Sequence, residues 1–229
     1  MTSLRRLQIY YYFFTTLYFL TGIGALVLGN VWLAQSKDGQ TPREAVISPE
    51  IEITGTVIGG FVAITSLVGY VAGVKPIERK KILVVFCWLV LVAILAELAL
   101  GGVVWFKTLR MRSLFDEKWR QEWPASLKVQ FQEMLEQDGY GYCCGYSWNK
   151  GDVVSEGICA KNPLEFPGCE EKISAFADGY LRKLFTSLFG FTIVNVFCFI
   201  TTVILIQARN DEERYIRIGR KEGMFKASI

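Results

Sequence analysis

Long stretches without a charged residue are the feature that most limits what this chain can fold into. Three runs carry no charge and a fourth is interrupted only by Glu97; together they cover 7–36, 53–74, 82–106 and 184–208. A helix needs about 20 predominantly apolar residues to cross the hydrocarbon layer, whereas a run of about 10 to 14 is more typical of a buried helix. The runs are rich in Leu, Ile, Val and Phe. The sequence therefore predicts four transmembrane helices.

The composition narrows the possible chemistry. Of the 229 residues, 52% are apolar and 21% are charged, and there is no histidine. The absence of histidine excludes Ser-His-Asp and Cys-His catalysis as well as imidazole zinc sites. No pair of intramembrane aspartates is present either. We therefore expect a protein that is not an enzyme and that has no metal site and no catalytic cofactor.

The distribution of lysine and arginine predicts the orientation. Twelve of these 25 residues lie in the short segments 1–6, 75–81 and 209–229, and the others are spread over the longer segments 37–52 and 107–183. Basic residues concentrate in the cytoplasmic segments of membrane proteins. Both termini are thus predicted to be cytoplasmic, and the net charge of +3 reflects topology rather than binding to nucleic acid.

These spans divide the chain into nine predicted segments. In order, they are the cytoplasmic N-terminus (1–8), the first transmembrane helix (9–33), the small extracellular loop (34–52), the second transmembrane helix (53–74), the cytoplasmic loop (75–81), the third transmembrane helix (82–106), the large extracellular loop (107–183), the fourth transmembrane helix (184–208) and the cytoplasmic tail (209–229). We expect the plasma membrane as the location, with an endosomal or vacuolar membrane as the alternative.

Four of the six cysteines lie in the predicted large extracellular loop, at Cys143, Cys144, Cys159 and Cys169. An extracellular position favours disulfides, and four cysteines allow three pairings. A bond between the adjacent Cys143 and Cys144 would close a strained ring, so two pairings remain open. A zinc site fits less well, because the spacing lacks Cys-x-x-Cys.

The same loop is predicted to be largely helical. The third transmembrane helix is expected to continue to about Trp119, since no Gly or Pro interrupts it. A second, amphipathic helix begins at Pro124 and ends at Gly139,. An irregular, disulfide-stapled segment follows, and after Cys169 a helical stripe runs into the fourth transmembrane helix.

The tripeptide Cys143-Cys144-Gly145, between the third and fourth of four spans, resembles the signature of the tetraspanin family. Supporting matches extend over nearly the whole chain, among them Glu97 in the third span. The resemblance implies an all-α membrane protein whose four transmembrane helices carry a disulfide-stapled helical extracellular domain between the third and the fourth. It matches the simple, four-cysteine type of the family.

The resemblance also implies a disulfide pattern and a function. Cys143 is expected to pair with Cys169, and Cys144 with Cys159. The implied function is a non-enzymatic scaffold that organises partner membrane proteins laterally, including related proteins in homo- or hetero-oligomers.

Glu97 is the sole acidic or basic residue in the four runs, and such a residue is by default a functional candidate. Asn195 is predicted at nearly the same depth in the fourth span. We expect Glu97 to point inward and to be protonated, because an unpaired carboxylate in hydrocarbon is costly. Two uses remain open: a structural hydrogen bond to Asn195, or the polar end of a cavity for a sterol or another lipid. The resemblance favours the cavity slightly.

Small residues four positions apart mark the first two spans. The pairs are Gly55 with Gly59, Gly59 with Ala63, Gly69 with Gly73, and Ala25 with Gly29. Such pairs let helix backbones approach closely in lipid. Packing within the chain is the preferred interpretation, and homodimerisation is the alternative.

Two further motifs concern the cytoplasmic side. Tyr215-Ile-Arg-Ile218 fits a Tyr-x-x-apolar sorting signal, and the alternative is a basic amphipathic tail held on anionic lipid,. Cys87 lies about six residues beyond Lys81 and is a candidate for palmitoylation,.

The candidate partner contacts lie in the irregular part of the large loop and are the aromatic residues Tyr146, Trp148 and Phe166, because aromatic side chains anchor interfaces. The alternative is that Trp148 and Phe166 pack the core of the small domain. A second function class is a small transporter or channel that uses Glu97 and Asn195, but two polar residues make a sparse path.

Overall fold

The structure is a computed structural model that describes residues 2–35, 41–46, 49–74, 80–137, 139–147, 157–160 and 166–226. Across these residues the chain is all-α, with no strand, as predicted. The helices are α1 (Thr2–Gln35), α2 (Pro42–Val46), α3 (Pro49–Val74), α4 (Lys80–Leu109), α5 (Met111–Gln121), α6 (Ala125–Gln137) and α7 (Glu170–Lys226), with a short 3₁₀ helix (Gly157–Ala160) between α6 and α7.

Four of these helices are long and apolar enough to cross a membrane. The apolar spans lie in α1, α3, α4 and α7, over Arg5–Val31, Glu50–Val74, Lys80–Leu109 and Glu170–Gly219. The prediction of four membrane helices is confirmed. Helices α1 and α7 extend beyond the predicted spans at both ends.

Contacts between residues divide the chain into two units. The membrane unit comprises residues 1–30, 54–99 and 188–229, and the loop unit comprises residues 31–53 and 100–187. Helices α4 and α7 each contribute residues to both units.

The membrane unit is packed around aromatic rings and close helix crossings. Tyr11, Tyr18 and Phe86 are buried, and each tyrosine ring meets Phe86 edge to face. Many large apolar side chains on other faces of the same helices are exposed. Exposed apolar side chains are what a helix surface in contact with lipid requires.

Glycines allow α1 and α3 to approach closely. A Cβ atom on Gly22 would lie 2.7 Å from the backbone nitrogen of Ala63, and one on Gly59 would lie 2.8 Å from the Cβ of Ala25. Neither position has room for a larger residue without movement of the neighbouring helix. The glycines of this seam are therefore used for packing within the chain, as preferred from the sequence.

An aromatic core holds the loop unit together. Helix α5 buries Phe115 and Trp119, and α6 buries one face that includes Phe131. The first turns of α7 bury Ile173 and Phe176 against the same core. The amphipathic helix predicted to begin at Pro124 is confirmed as α6.

The helix that was predicted to run on to Trp119 is interrupted, and this prediction is wrong. Helix α4 ends at Leu109 and α5 begins at Met111, with Arg110 between them at φ −100° and ψ 10°. No Gly or Pro lies at this interruption, so the sequence gives no local signal for it. Because α5 packs Phe115 and Trp119 into the aromatic core, a tertiary contact outweighs the local preference for a continuous helix.

The short helix α2 belongs to the loop unit as well. It contacts α6, and Ala45 and Val46 pack against the aromatic core. Part of the segment predicted as a small extracellular loop therefore contributes to the same folded unit as the large one.

Candidate functional sites

A cluster of polar side chains lies inside the membrane unit, between α4 and α7. Glu97 of α4 is 5% exposed, and Asn195 of α7 is fully buried. The Asn195 side-chain nitrogen Nδ2 donates a hydrogen bond of 2.7 Å to Glu97 Oε1. The structural hydrogen bond that was one of the two interpretations of these residues is thus present.

Thr192 is the third member of this cluster. Its hydroxyl oxygen Oγ1 lies 3.1 Å from Glu97 Oε2 and 3.0 Å from the carbonyl oxygen of Leu188, one turn earlier in α7. The sequence interpretation missed Thr192. The available signal was its position three residues before Asn195, which places both side chains on one face of a helix.

Other buried polar side chains lie near the cluster, and they form hydrogen bonds with groups outside it. Cys198 and Thr202 are fully buried, and the Thr202 hydroxyl donates to the carbonyl of Cys198 at 2.7 Å. On α1, Tyr18 shares a 2.9 Å hydrogen bond with Thr65 of α3. These groups satisfy one another, which lets them lie in a low-polarity interior.

Two disulfides organise the loop unit. Cys143 is bonded to Cys169, and Cys144 is bonded to Cys159. This is the pattern that the tetraspanin resemblance implies. With all four thiols in disulfides, none of these residues is a thiolate that could bind zinc.

The Cys-Cys-Gly motif has a clear backbone role. Gly145 adopts a φ of 70°, which a residue with a Cβ rarely adopts, and its carbonyl oxygen accepts a 2.8 Å hydrogen bond from Cys169 N–H,. The next carbonyl, of Tyr146, accepts from Glu170 N–H at 3.0 Å. The motif thereby satisfies N–H groups at the start of α7, which would otherwise lack partners.

Tyr146 is part of the core rather than of an exposed surface. It is 2% exposed, its ring is 6.0 Å from that of Trp119, and its hydroxyl donates to the carbonyl of Arg112 at 2.7 Å. Burial raises the pKa of the Tyr146 hydroxyl above its ordinary value,. Its predicted role as a contact residue is therefore corrected, because the disulfides and the start of α7 turn its ring inward.

The other two predicted contact residues have different outcomes. Trp148 lies outside the described residues. Phe166 is half-buried, and its ring centroid lies 5.6 Å from that of Tyr142. Tyr142 and Tyr140 were not predicted from the sequence, but they are 40% and 38% exposed. We refer to Tyr140, Tyr142 and Phe166 as the aromatic patch.

The backbone that carries the aromatic patch is fixed by specific contacts. Gly139 and Gly141 have φ values of 83° and 78° and flank Tyr140. The Lys172 amine Nζ, on α7, donates to the carbonyl of Tyr142 at 2.7 Å. The patch is thus held against α7 at Tyr142, directly before the disulfide-bonded Cys143, and Phe166 lies inside the segment that the Cys143–Cys169 disulfide closes.

The remaining candidates lie in the membrane unit. Tyr215 is 76% exposed, and Ile218 is also exposed, with both residues inside helix α7. Cys87 is a free, half-buried cysteine of α4.

The fold and the disulfides together define a class: an all-α integral membrane protein with four spans and a disulfide-bonded domain in the loop between the third and the fourth. The tetraspanin family matches residues 7–208, and the chain belongs to this family. A comparison with curated proteins found no match. Tetraspanins are in general non-enzymatic structural membrane proteins that interact with other membrane proteins, so the family indicates a scaffold role.

Proposed function

We propose that this protein is a non-enzymatic scaffold that gathers other membrane proteins laterally, with the aromatic patch as its principal contact surface. The supporting observation is the exposure of Tyr140 and Tyr142, whose backbone is contacted by Lys172 at Tyr142 and adjoins the disulfide-bonded Cys143. Tyrosine is enriched among the residues that dominate binding energy at interfaces. A surface that is already ordered loses less conformational entropy when a partner binds.

The proposal includes an orientation in the membrane. The loop unit faces the oxidising side, which the persistence of disulfides there supports, and both termini are cytoplasmic, which the distribution of basic residues supports,. The plasma membrane is the proposed location.

The test of the contact surface compares two variants in the cells that produce the protein. Tyr140→Ala with Tyr142→Ala removes two exposed rings, whereas Arg182→Ala removes an exposed side chain of the same unit. Membranes are solubilised in mild detergent, and co-purified membrane proteins are quantified by mass spectrometry. We expect recovery of at least one partner to fall about tenfold or more in the tyrosine variant, which corresponds to the loss of a contact worth about 1.4 kcal/mol.

The Arg182→Ala variant should recover that partner at the level of the unchanged protein. Unchanged recovery in the tyrosine variant would contradict the proposed surface. If no membrane protein co-purifies reproducibly and the purified protein carries solutes across liposomes, the transporter alternative would replace the scaffold.

The hydrogen bonds of Glu97 support a structural role for the polar cluster over a lipid cavity. Both carboxyl oxygens lie within hydrogen-bond distance of side chains of α7, namely Asn195 and Thr192. A bound sterol or other lipid stays a prediction. Photoreactive sterol that labels the Glu97→Gln variant as strongly as the unchanged protein would support the structural role, and loss of labelling would support the cavity.

Two smaller functions complete the proposal. Tyr215 and Ile218 form an endocytic sorting signal, which their exposure supports, and Tyr215→Ala is expected to slow internalisation of the surface-labelled protein. Cys87 is a palmitoylation site, for which the predicted position near the cytoplasmic side is the support. Unchanged incorporation of a palmitate analogue in Cys87→Ser would contradict that assignment.

A further inference from the structure

The contacts of Thr192 raise the question of which group carries the hydrogen between Glu97 and α7. A threonine hydroxyl has a single hydrogen and can accept as well as donate. Thr192 Oγ1 lies at hydrogen-bond distance from two acceptors, Glu97 Oε2 at 3.1 Å and the carbonyl oxygen of Leu188 at 3.0 Å. One hydrogen cannot serve both contacts fully. Unless the two contacts share this hydrogen, either Glu97 or the Leu188 carbonyl must itself donate a hydrogen to Thr192.

The carbonyl oxygen of Leu188 has no hydrogen to give, so only Glu97 can be that donor. If the Thr192 hydroxyl donates to Leu188 and Glu97 Oε2 carries a hydrogen, then Glu97 Oε2, Thr192 Oγ1 and the carbonyl oxygen of Leu188 each have a hydrogen-bond partner. The other carboxyl oxygen, Oε1, then acts as the carbonyl oxygen of the acid and accepts from Asn195 Nδ2. This assignment makes Glu97 a neutral carboxylic acid.

The opposite assignment leaves a charge in the interior. An ionised Glu97 would take the hydrogen of Thr192 and the amide hydrogen of Asn195, but the described residues place no cation against it. An uncompensated carboxylate in hydrocarbon is far more costly than the loss of one hydrogen bond. The neutral assignment also keeps the bond from Thr192 to Leu188.

The other ionisable groups near the cluster do not supply a positive charge that would stabilise an ionised Glu97. The hydroxyl of Tyr18, on α1, is engaged in a hydrogen bond with Thr65 of α3. Cys198, three residues after Asn195 on α7, is buried and uncharged in its thiol form. Neither side chain is a cation, so neither favours an ionised carboxylate.

We propose that Glu97 is a proton-binding site that stays occupied at neutral pH, with its acid hydrogen donated through Thr192 to the backbone of α7. The directed chain runs from Glu97 Oε2 to Thr192 Oγ1 and then to the carbonyl oxygen of Leu188. It joins α4 to α7 without a charge. This assignment is independent of the contact surface in the loop unit. It makes Glu97 a stable hydrogen-bonded link between two helices rather than a group that exchanges protons during transport.

The test is the infrared spectrum of the purified protein at neutral pH, in a detergent without ester groups. A protonated carboxylic acid has a carbonyl stretch that an ionised carboxylate lacks. We expect this band in the unchanged protein and its loss in Glu97→Gln, which keeps the shape and neutrality of the acid. Equal spectra in this region for the two proteins would overturn the proposal.

Two threonine variants test the direction of the chain while Glu97 is left in place. Thr192→Val removes the acceptor, so the acid band should move to higher frequency. Thr201→Val is the matched control, because within the described residues the Thr201 hydroxyl bonds to carbonyls of its own helix, and the acid band of this variant should keep its frequency. A band that does not move in Thr192→Val would overturn the proposed direction. If Glu97→Gln fails to fold, glutamate-specific isotope labelling of the unchanged protein decides, since absence of a labelled acid band would equally refute a neutral Glu97.

Discussion

The helices of the two units are held together by different interactions. The membrane unit brings α1 and α3 together at glycines, and it joins α4 to α7 through a few buried hydrogen bonds. The loop unit has a core of large aromatic rings and two disulfides. Both units bury aromatic rings, so the difference is that the membrane unit uses close glycine crossings and buried hydrogen bonds, whereas the loop unit uses covalent bonds.

The difference follows from the solvent that each unit meets. In lipid there is no hydrophobic drive to bring helices together, so close backbone approach and hydrogen bonds take its place. In water the hydrophobic effect drives the burial of a core, and disulfides add stability by restricting the unfolded state. Substitutions of each kind should consequently affect one unit and spare the other.

The largest expected effect comes from the disulfide between Cys143 and Cys169. It closes 26 residues of sequence, and its removal by Cys143→Ser with Cys169→Ser should lower the stability of the loop unit by about 3 to 4 kcal/mol. Hydrogen exchange should then accelerate in α6 but not in the membrane unit. Cys87→Ser, which removes a free thiol, is the control and should change neither. Equal acceleration in both units would show that they do not unfold separately.

A smaller effect is expected at the crossing of α1 and α3. Gly22→Ala would place a methyl group 2.7 Å from the backbone of Ala63, so the helices must separate, at a cost of about 1 to 3 kcal/mol. Gly24→Ala is the matched control, since nothing lies within 4 Å of its added Cβ. Thermal unfolding in detergent should show a lower midpoint for the first variant alone. Equal midpoints for the two variants would contradict the close crossing.

The smallest effect is expected from the polar cluster. Asn195→Leu removes the donor to Glu97 and should destabilise the membrane unit by about 0.6 kcal/mol, the average for hydrogen bonds between transmembrane helices, and by no more than about 1.7 kcal/mol. The melting midpoint in detergent provides the measurement. Thr201→Val again serves as the control, and a midpoint for Asn195→Leu equal to that of the control would mean that the bond contributes nothing to stability.

The features that could be predicted from the sequence are those that depend on composition over many residues. Four long apolar runs suffice to predict four membrane helices, and the apolar face of α6 is legible from its spacing. The position of the four loop cysteines indicated two disulfides. The pairing itself came from the family resemblance, because spacing alone left two arrangements open.

The features that the sequence concealed are those decided by tertiary contacts. The end of α4 at Leu109 has no local signal, and the inward direction of Tyr146 depends on the turn at Gly145 and the start of α7. The packing of α2 against α6 joins segments far apart in sequence. Thr192 could have been found from its spacing to Asn195, but threonine is common in helices of this kind and gives a weak signal.

The most direct test of the scaffold proposal is to place a photoreactive amino acid in the aromatic patch. Tyr142 is replaced by such a residue in one variant, and Glu133, an exposed residue of α6, is replaced in the control. After illumination of intact cells, we predict a defined crosslink from position 142 to another membrane protein and none to that protein from position 133. The absence of any crosslink from position 142, or the same crosslinks from both positions, would contradict the proposal that this patch recruits partners.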